Sequence, residues 1–352
     1  MGLYFLNDEP METGIGRFSN SISKVIGSSR TLSLVKDKSI RSRNFPGTKY
    51  FGFFPPVTSG WLLNSTLQNV VFRGALRKIG KEAVAHYGSV FLKPFRKNDN
   101  DVITFLDFYF EKYSRSSLLA KQASRNLNAF LKFHNAVAIS GHTAKIAMER
   151  GFEGHVAVVY PEVSDYITQM TTDKSSLIQL RKKFGIPEDK IVVLSVSSGA
   201  GNKNIRFMES LVRHLHETHR NTVFVKVGFP VQGAINLPPL SDSLLNEVYN
   251  LSDVYVQPSL EEGFCLPVVE AMKSGTPVVT NDIDIFREVT EDAAVFSELN
   301  LEKFSSAVFD AIDRREELIK SGIRVSARYS HDNFSRSIRA FYKSIGITEF
   351  TE

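Results

Sequence analysis

Glu262 and Glu270 stand with seven residues between them, on either side of Gly263-Phe264-Cys265-Leu266-Pro267. A glycine loop running into a helix presents backbone N–H groups and the positive end of the helix dipole, an arrangement suited to a phosphate. Carboxylates beside such a loop would not bind the phosphate. They are suited to accept hydrogen bonds from the hydroxyl groups of a sugar. A second pattern, Thr13-Gly-Ile-Gly-Arg17-Phe18, follows the apolar run Leu3–Asn7. Strand, Gly-x-Gly and helix again let the backbone approach an anion, although the same pattern also serves as a plain turn.

The elements that must position these residues are legible around them. Asp253–Gln257 reads as a buried strand, Leu266–Lys273 as a helix with Pro267 in its first turn, and Gly275 as the stop. Thr276–Thr280 reads as the next buried strand, which completes a parallel α/β unit. The same alternation runs along the chain. Strands are expected at Leu3–Asn7, Thr31–Lys36, Val102–Leu106, Ala136–Ile139, His155–Val159, Ile191–Val196 and Thr222–Val227. Helices are expected from the Gly-x-Gly pattern to about Ile26 and at Ser114–Lys132, Thr143–Arg150, Ser175–Phe184, Ile205–His216, Ser241–Leu251, Leu301–Lys320 and His331–Ile345. Residues 37–69 read as irregular and aromatic. Val70–Ala85 reads as an amphipathic helix with Arg73, Arg77 and Lys81 on one face. That face is either solvated or laid on an anionic membrane.

The stretch Glu262-Gly-Phe-Cys-Leu-Pro-Val-Val-Glu270, followed by Ala-Met-Lys-Ser-Gly-Thr-Pro-Val-Val, closely resembles the donor-site motif of retaining glycosyltransferases of family 4, which have the GT-B fold. The resemblance implies that Glu270 binds the ribose of a nucleotide-sugar and Glu262 contacts the transferred sugar. It implies too that the amides of Gly263, Phe264, Cys265 and Leu266 hold sugar and diphosphate. Cys265 departs from the pattern, which usually has glycine there. Ser197-Ser-Gly-Ala-Gly-Asn-Lys203-Asn204 matches the loop in which the family places Gly-Arg early and a lysine at the end, both on the diphosphate. Lys203 matches the lysine, whereas Ser198 stands at the arginine's place and adds no charge. As a mere surface residue at a helix start, Lys203 would oppose the helix dipole. By the same resemblance Gly14, Gly16 and Arg17 approach the donor phosphate. Thr104-Phe-Leu-Asp107 lies where the family commonly has Thr-x-His-Asp, so Leu106 replaces a histidine near the sugar. Asp107 keeps its place, facing an acceptor hydroxyl or capping the helix that follows. The loop Phe229–Leu240 is where the family holds the base. Tyr160-Pro-Glu-Val-Ser-Asp165 resembles its inter-domain linker.

Composition bounds the function. A chain of 352 residues is long enough for two cores, and 42% hydrophobic with 23% charged residues is ordinary for a soluble protein. One cysteine excludes an internal disulfide and suits a reducing compartment. No apolar run reaches 18 residues, and the first residues lack the charged and apolar regions of a signal peptide. Residues 1–163 hold 22 Lys and Arg against 12 Asp and Glu, a net +10; residues 164–352 hold 21 against 26, a net −5. The basic half points to an anionic partner. Asp282-Ile-Asp284 reads as a helix N-cap rather than a metal pair. His134 and His142 lack metal-ligand spacing.

These readings lead to one expectation: an α/β GT-B protein with two doubly wound Rossmann-like domains facing a central cleft. Residues 1–163 form the acceptor-side domain, 164–330 the nucleotide-sugar-binding domain, and 331–352 a helix returning to the first. The implied reaction is retaining transfer of a hexose from UDP- or GDP-hexose to a hydroxyl of a glycan or lipid-linked glycan. Glu262, Lys203 and Asp107 are the catalytic candidates, and neither metal nor other cofactor is expected. The expected location is cytoplasmic, peripheral on the inner face of a membrane. A non-catalytic nucleotide-sugar-binding subunit is the alternative, motivated by Leu106, Ser198 and Cys265. A nucleic-acid-binding protein fits the basic half, but no nucleic-acid motif supports it.

Overall fold

The computed structural model describes residues 2–7, 14–27, 31–35, 49–53, 83–94, 98–113, 117–171 and 173–348. They form two compact units. One comprises the described residues within Met1–Glu111, Ser116–Glu162 and His331–Glu352, the other those within Lys112–Arg115 and Val163–Ser330.

The first unit is built on a parallel sheet of β1 (Leu3–Asn7), β2 (Thr31–Val35), β3 (Lys49–Phe53), β4 (Val84–Tyr87), β5 (Val102–Phe105), β6 (Asn135–Ala138) and β7 (His155–Val158). Their order is β3-β2-β1-β4-β5-β6-β7. β4, β5 and β6 are wholly buried. They are short and apolar, as strands covered on both faces must be. Buried aromatic residues fill one side, with Tyr87, Phe130 and Phe133 meeting edge to face. The helix His331–Ser344 packs against the helix Gly14–Ile26 through Phe18 and Phe334.

The second unit has a parallel sheet of β8 (Ile191–Ser197), β9 (Thr222–Gly228), β10 (Ile235–Leu237), β11 (Val254–Gln257), β12 (Val278–Asn281) and β13 (Ala294–Ser297), in the order β10-β9-β8-β11-β12-β13. The chain winds outward from β8 to β10 and returns to place β11 on β8's other side. The order therefore reverses between β8 and β11, and open α/β sheets bind ligands beyond the carboxyl ends of the strands at such a point.

Four expectations need correction. Val84–Tyr87 is a central strand, paired through Leu3↔Val84, and not the end of a helix. Periodicity alone does not separate a short buried strand from a buried helical turn. Lys49–Phe53, within the stretch expected to be irregular, forms β3 at the sheet edge. Ile235–Leu237 forms a short edge strand within the expected 229–240 loop. The single helix expected at 301–320 is two, Leu301–Asp313 and Arg315–Ser326. Thr13, Arg73, Arg77 and Lys81 lie outside the described residues, as do most of 37–69. No helix among the described residues is long and apolar enough to cross a membrane.

Candidate functional site

Two loops leave the carboxyl ends of the strands flanking the reversal. Residues 198–204 follow β8, ending in the 3₁₀ turn Gly201–Lys203, and 258–265 follow β11. Hydrogen bonds stitch them together. The Asn202 side chain donates to Glu261 O at 2.8 Å, Leu260 N–H donates to Asn202 O at 2.8 Å, and the Asn204 side chain donates to Pro258 O at 3.1 Å. Asn204 sits in the left-handed region at φ 54°, which turns the chain into the helix Ile205–Thr218.

Across this seam Lys203 Nζ donates to Glu262 Oε1 at 2.6 Å. The pair is well covered, with side-chain exposures of 15% and 5%. At that depth each charge depends on the other, and removing one leaves an uncompensated buried ion.

Glu262 leads through Gly263, Phe264 and Cys265 into the helix Leu266–Lys273, whose bounds are those expected from Pro267 and Gly275. Phe264 is buried edge to face against Tyr329, so its side chain is core. Cys265 is the N-cap residue, at φ 73° and ψ 71°, and makes no side-chain cap. A glycine adopts this left-handed backbone without cost, whereas cysteine adopts it with strain. A helix N-terminus and a nearby lysine would by themselves lower a thiol's pKa and make it reactive. The structure overturns this. Cys265 is buried, and burial followed by the Glu262 charge pushes the thiol well up.

Glu270 also differs from expectation. Its place one turn into the helix suits an exposed carboxylate, but it is 2% exposed and accepts a hydrogen bond from Tyr249 at 2.9 Å. Burial, then Glu270's charge, drives the Tyr249 phenol well above its ordinary value, so the phenol stays a donor. Lys203, Glu262, Gly263, Phe264, Cys265, Leu266 and Glu270 thus lie on one loop pair and the helix after it. Ser198 is exposed at the start of the first loop. Asp282-Ile-Asp284 caps nothing. Ile283 is the N-cap residue, Asp284 opens the helix Asp284–Thr290, and Asp282 is held by Arg287 Nε at 2.5 Å. Among the described residues, no three of His, Cys, Asp or Glu converge where a metal ion would sit.

In the first unit Asp107 follows β5 and is half-buried, while Leu106 points into the core at 7% exposure. Gly14, Gly16 and Arg17 lie inside the first turn of the helix Gly14–Ile26, not in a loop before it. Sequence reasoning passed over two buried groups. His86 stands between Tyr342 Oη and Thr104 Oγ1, each at 2.7 Å, and burial lowers its pKa to about 3. Lys226, on β9, is fully buried. The signal for Lys226 was a lysine inside the apolar run Thr222–Val227.

Residues 178–324 match the family model of glycosyl transferases group 1. The O-antigen chain mannosyltransferase RfbU of Salmonella typhimurium is 32% identical over 102 residues. That match takes in 29% of this chain and 29% of the relative, so the chain spans far less than two thirds of it. WaaG, a glycosyltransferase involved in lipopolysaccharide biosynthesis, superposes with a TM-score of 0.72 at 13% identity, over 98% of this chain and 100% of that one. Anabaena Alr3699/HepE, solved in complex with UDP-glucose, superposes with a TM-score of 0.74 at 16% identity, over 98% and 100%. At such identities the likeness carries the fold, which is GT-B.

Proposed function

We propose, from the premise that residues 178–324 belong to the glycosyl transferases group 1 on a GT-B fold, that this chain transfers a hexose from UDP- or GDP-hexose to a hydroxyl of a glycan or lipid-linked glycan, with retained anomeric configuration. The observation that carries the reading is the buried Lys203–Glu262 pair joining the two loops at the strand-order reversal. A lysine and a glutamate held together there can divide a nucleotide-sugar between them. The ammonium attends the diphosphate, and the carboxylate accepts from the sugar's hydroxyls. Glu270, with Tyr249 fixing one of its oxygens, takes the ribose hydroxyls.

In the reaction the bond between the anomeric carbon and the phosphate oxygen breaks, and the acceptor oxygen bonds that carbon from the same face. The acceptor's proton passes to the leaving phosphate oxygen, so no side-chain base is required. Lys203 stabilises the charge that grows on the diphosphate. Asp107 accepts a hydrogen bond from the acceptor hydroxyl. No metal takes part, and the basic residues of 1–163 favour approach to an anionic membrane.

The test is incubation of the full chain with UDP-glucose and with GDP-mannose, following release of nucleoside diphosphate and hexose. Slow donor hydrolysis with an α-anomer formed first is the expected result. A donor that binds but is never consumed, with or without lipid-linked acceptors, would favour the non-catalytic reading, for which Leu106 and Ser198 are the specific observations. Loss of turnover on chelation with rescue by manganese would overturn metal independence.

A further inference from the structure

Lys226 is paired in the sheet as Ser195↔Lys226, with Ser197↔Gly228 beside it at the strands' carboxyl ends. Its ammonium donates to Ser197 O and to Val227 O, both at 2.8 Å. Both partners are neutral carbonyls. No carboxylate pairs with it among the described residues, and its third N–H has no partner there. An unpaired cation in a sheet interior is destabilising, and an apolar side chain between Val225 and Val227 would satisfy the fold better. The Lys203 charge is offset by Glu262, whereas the Lys226 charge is not.

The neighbourhood is unsatisfied in a second respect. Ser197 Oγ and Asn202 Oδ1 are buried without a hydrogen-bond partner, and Asn202 is fully buried. Buried polar atoms in native proteins are nearly always bonded. Ser197, whose own carbonyl holds Lys226, leads into the loop that carries Lys203, and Asn202 stands next to Lys203 near its end. Ser198, between them, adds no charge.

We infer that Lys226 is the second cation of the diphosphate subsite, a positioning residue that acts on a bound nucleoside diphosphate from beneath the loop, through the Ser197–Ser198 peptide. The inference rests on the donor-site reading given above. An ammonium on Ser197 O polarises that peptide and strengthens Ser198 N–H as a donor toward an anion. Its own field, little screened at this depth, adds to that of Lys203.

A pH dependence follows. Burial, then the Lys203 charge, lowers the Lys226 pKa to about 7 in the empty protein. The charged group that acts on Lys226 is Lys203 from the 3₁₀ turn. Glu262 pairs with Lys203, and its charge acts in turn on Cys265 and on Tyr255 of β11, whose hydroxyl donates to Val196 O. Burial holds the Cys265 thiol and the Tyr255 phenol well above their ordinary values, so both stay neutral between pH 7 and 9. A terminal phosphate with a pKa of about 6 is already ionised over that window. An anion raises the Lys226 pKa. Binding therefore takes up a proton above pH 7, and affinity falls as pH rises, by up to about tenfold per unit.

The experiment is calorimetric titration of the full chain with UDP and with GDP at pH 7 and pH 9, in buffers of different ionisation enthalpy, for wild type and Lys226→Met. Wild type should bind one of the two with proton uptake and lose roughly tenfold or more in affinity at pH 9. Lys226→Met should bind about tenfold more weakly at pH 7, with neither uptake nor pH dependence. A variant that keeps the wild-type affinity and profile overturns the inference. So does wild-type binding without proton uptake, which requires no variant to fold. If neither nucleotide binds wild type, the donor-site reading falls and this inference with it.

Discussion

Lys203, Lys226, Glu262 and Glu270 place four ionisable side chains within or beside the loops that leave β8, β9 and β11. The first unit spends its buried polar groups differently. His86 is neutral between Tyr342 and Thr104, and so fastens the helix His331–Ser344 to the sheet. Asp101 accepts from Ala85 N–H at 2.8 Å and from Asn98 N–H at 3.3 Å, closing a turn. Each of these groups is satisfied by the fold itself. In the second unit a buried lysine has no counter-charge among the described residues, and Ser197 and Asn202 keep unpartnered atoms. Single unpartnered atoms occur in both units, Ser19 Oγ in the first and Arg181 Nε, Thr280 Oγ1, Asn281 Oδ1 and Ser305 Oγ elsewhere in the second. What sets the β8 loop apart is that its two accompany a buried lysine held only by neutral carbonyls.

Lys203→Met should break the comparison hardest. It should lower nucleoside diphosphate release about 10²–10³-fold, as loss of a group that stabilises leaving-group charge does. A release rate within threefold of wild type would mean that the pair is structural.

His86→Phe is the counterpart in the first unit. It leaves Tyr342 and Thr104 buried without their partner, at roughly 2–4 kcal/mol of stability by denaturant unfolding. Nucleotide affinity should not change. The folded pKa of about 3 lies below the unfolded value near 6.5, so wild-type stability falls as pH drops from 6.5 toward 3. The variant should lose that part of the acid slope.

Lys226→Met should move stability the other way, raising it by about 1–4 kcal/mol at pH 7. Between the folded pKa near 7 and the unfolded value near 10.5 the unfolded chain binds the extra proton, so the wild type gains stability as pH rises. The gap in melting temperature should therefore be widest at or below pH 7 and shrink toward pH 10. A variant that melts lower at pH 7 would make Lys226 a structural residue like His86.

Cys265→Gly should have the smallest effect, within about 1 kcal/mol, because relief at φ 73° offsets the lost buried thiol. Alkylation of wild-type Cys265 should be slow with the site empty.

Much of the second unit was legible because its signals agree. Pro267, Gly275 and two apolar runs place Leu266–Lys273 and the strands around it at or within a residue or two of their observed bounds. The first unit was harder to read. Val84 and Ala85, the first half of β4, end a run with helical periodicity, and only pairing with β1 makes them a strand. Burial was the other blind spot. Motif position puts Glu270 and Cys265 near a helix start, where exposure would make one a surface carboxylate and the other a reactive thiol. Packing by Tyr249 and Phe264's loop covers both. Lys226 was visible as a lysine in an apolar strand, but the significance of its charge depends on the absence of a carboxylate partner, which only the packing reveals.

The central claim is that the loops after β8 and β11, with the helix Leu266–Lys273, form a nucleotide-sugar donor site. Titration of wild type and Glu270→Gln with UDP and GDP by calorimetry tests it most directly. The account predicts that one nucleotide binds wild type with one-to-one stoichiometry. The substitution should weaken it about 10–100-fold through lost charge-assisted hydrogen bonds to the ribose, while the melting temperature stays close to that of wild type. Equal binding by Glu270→Gln and wild type would contradict the account.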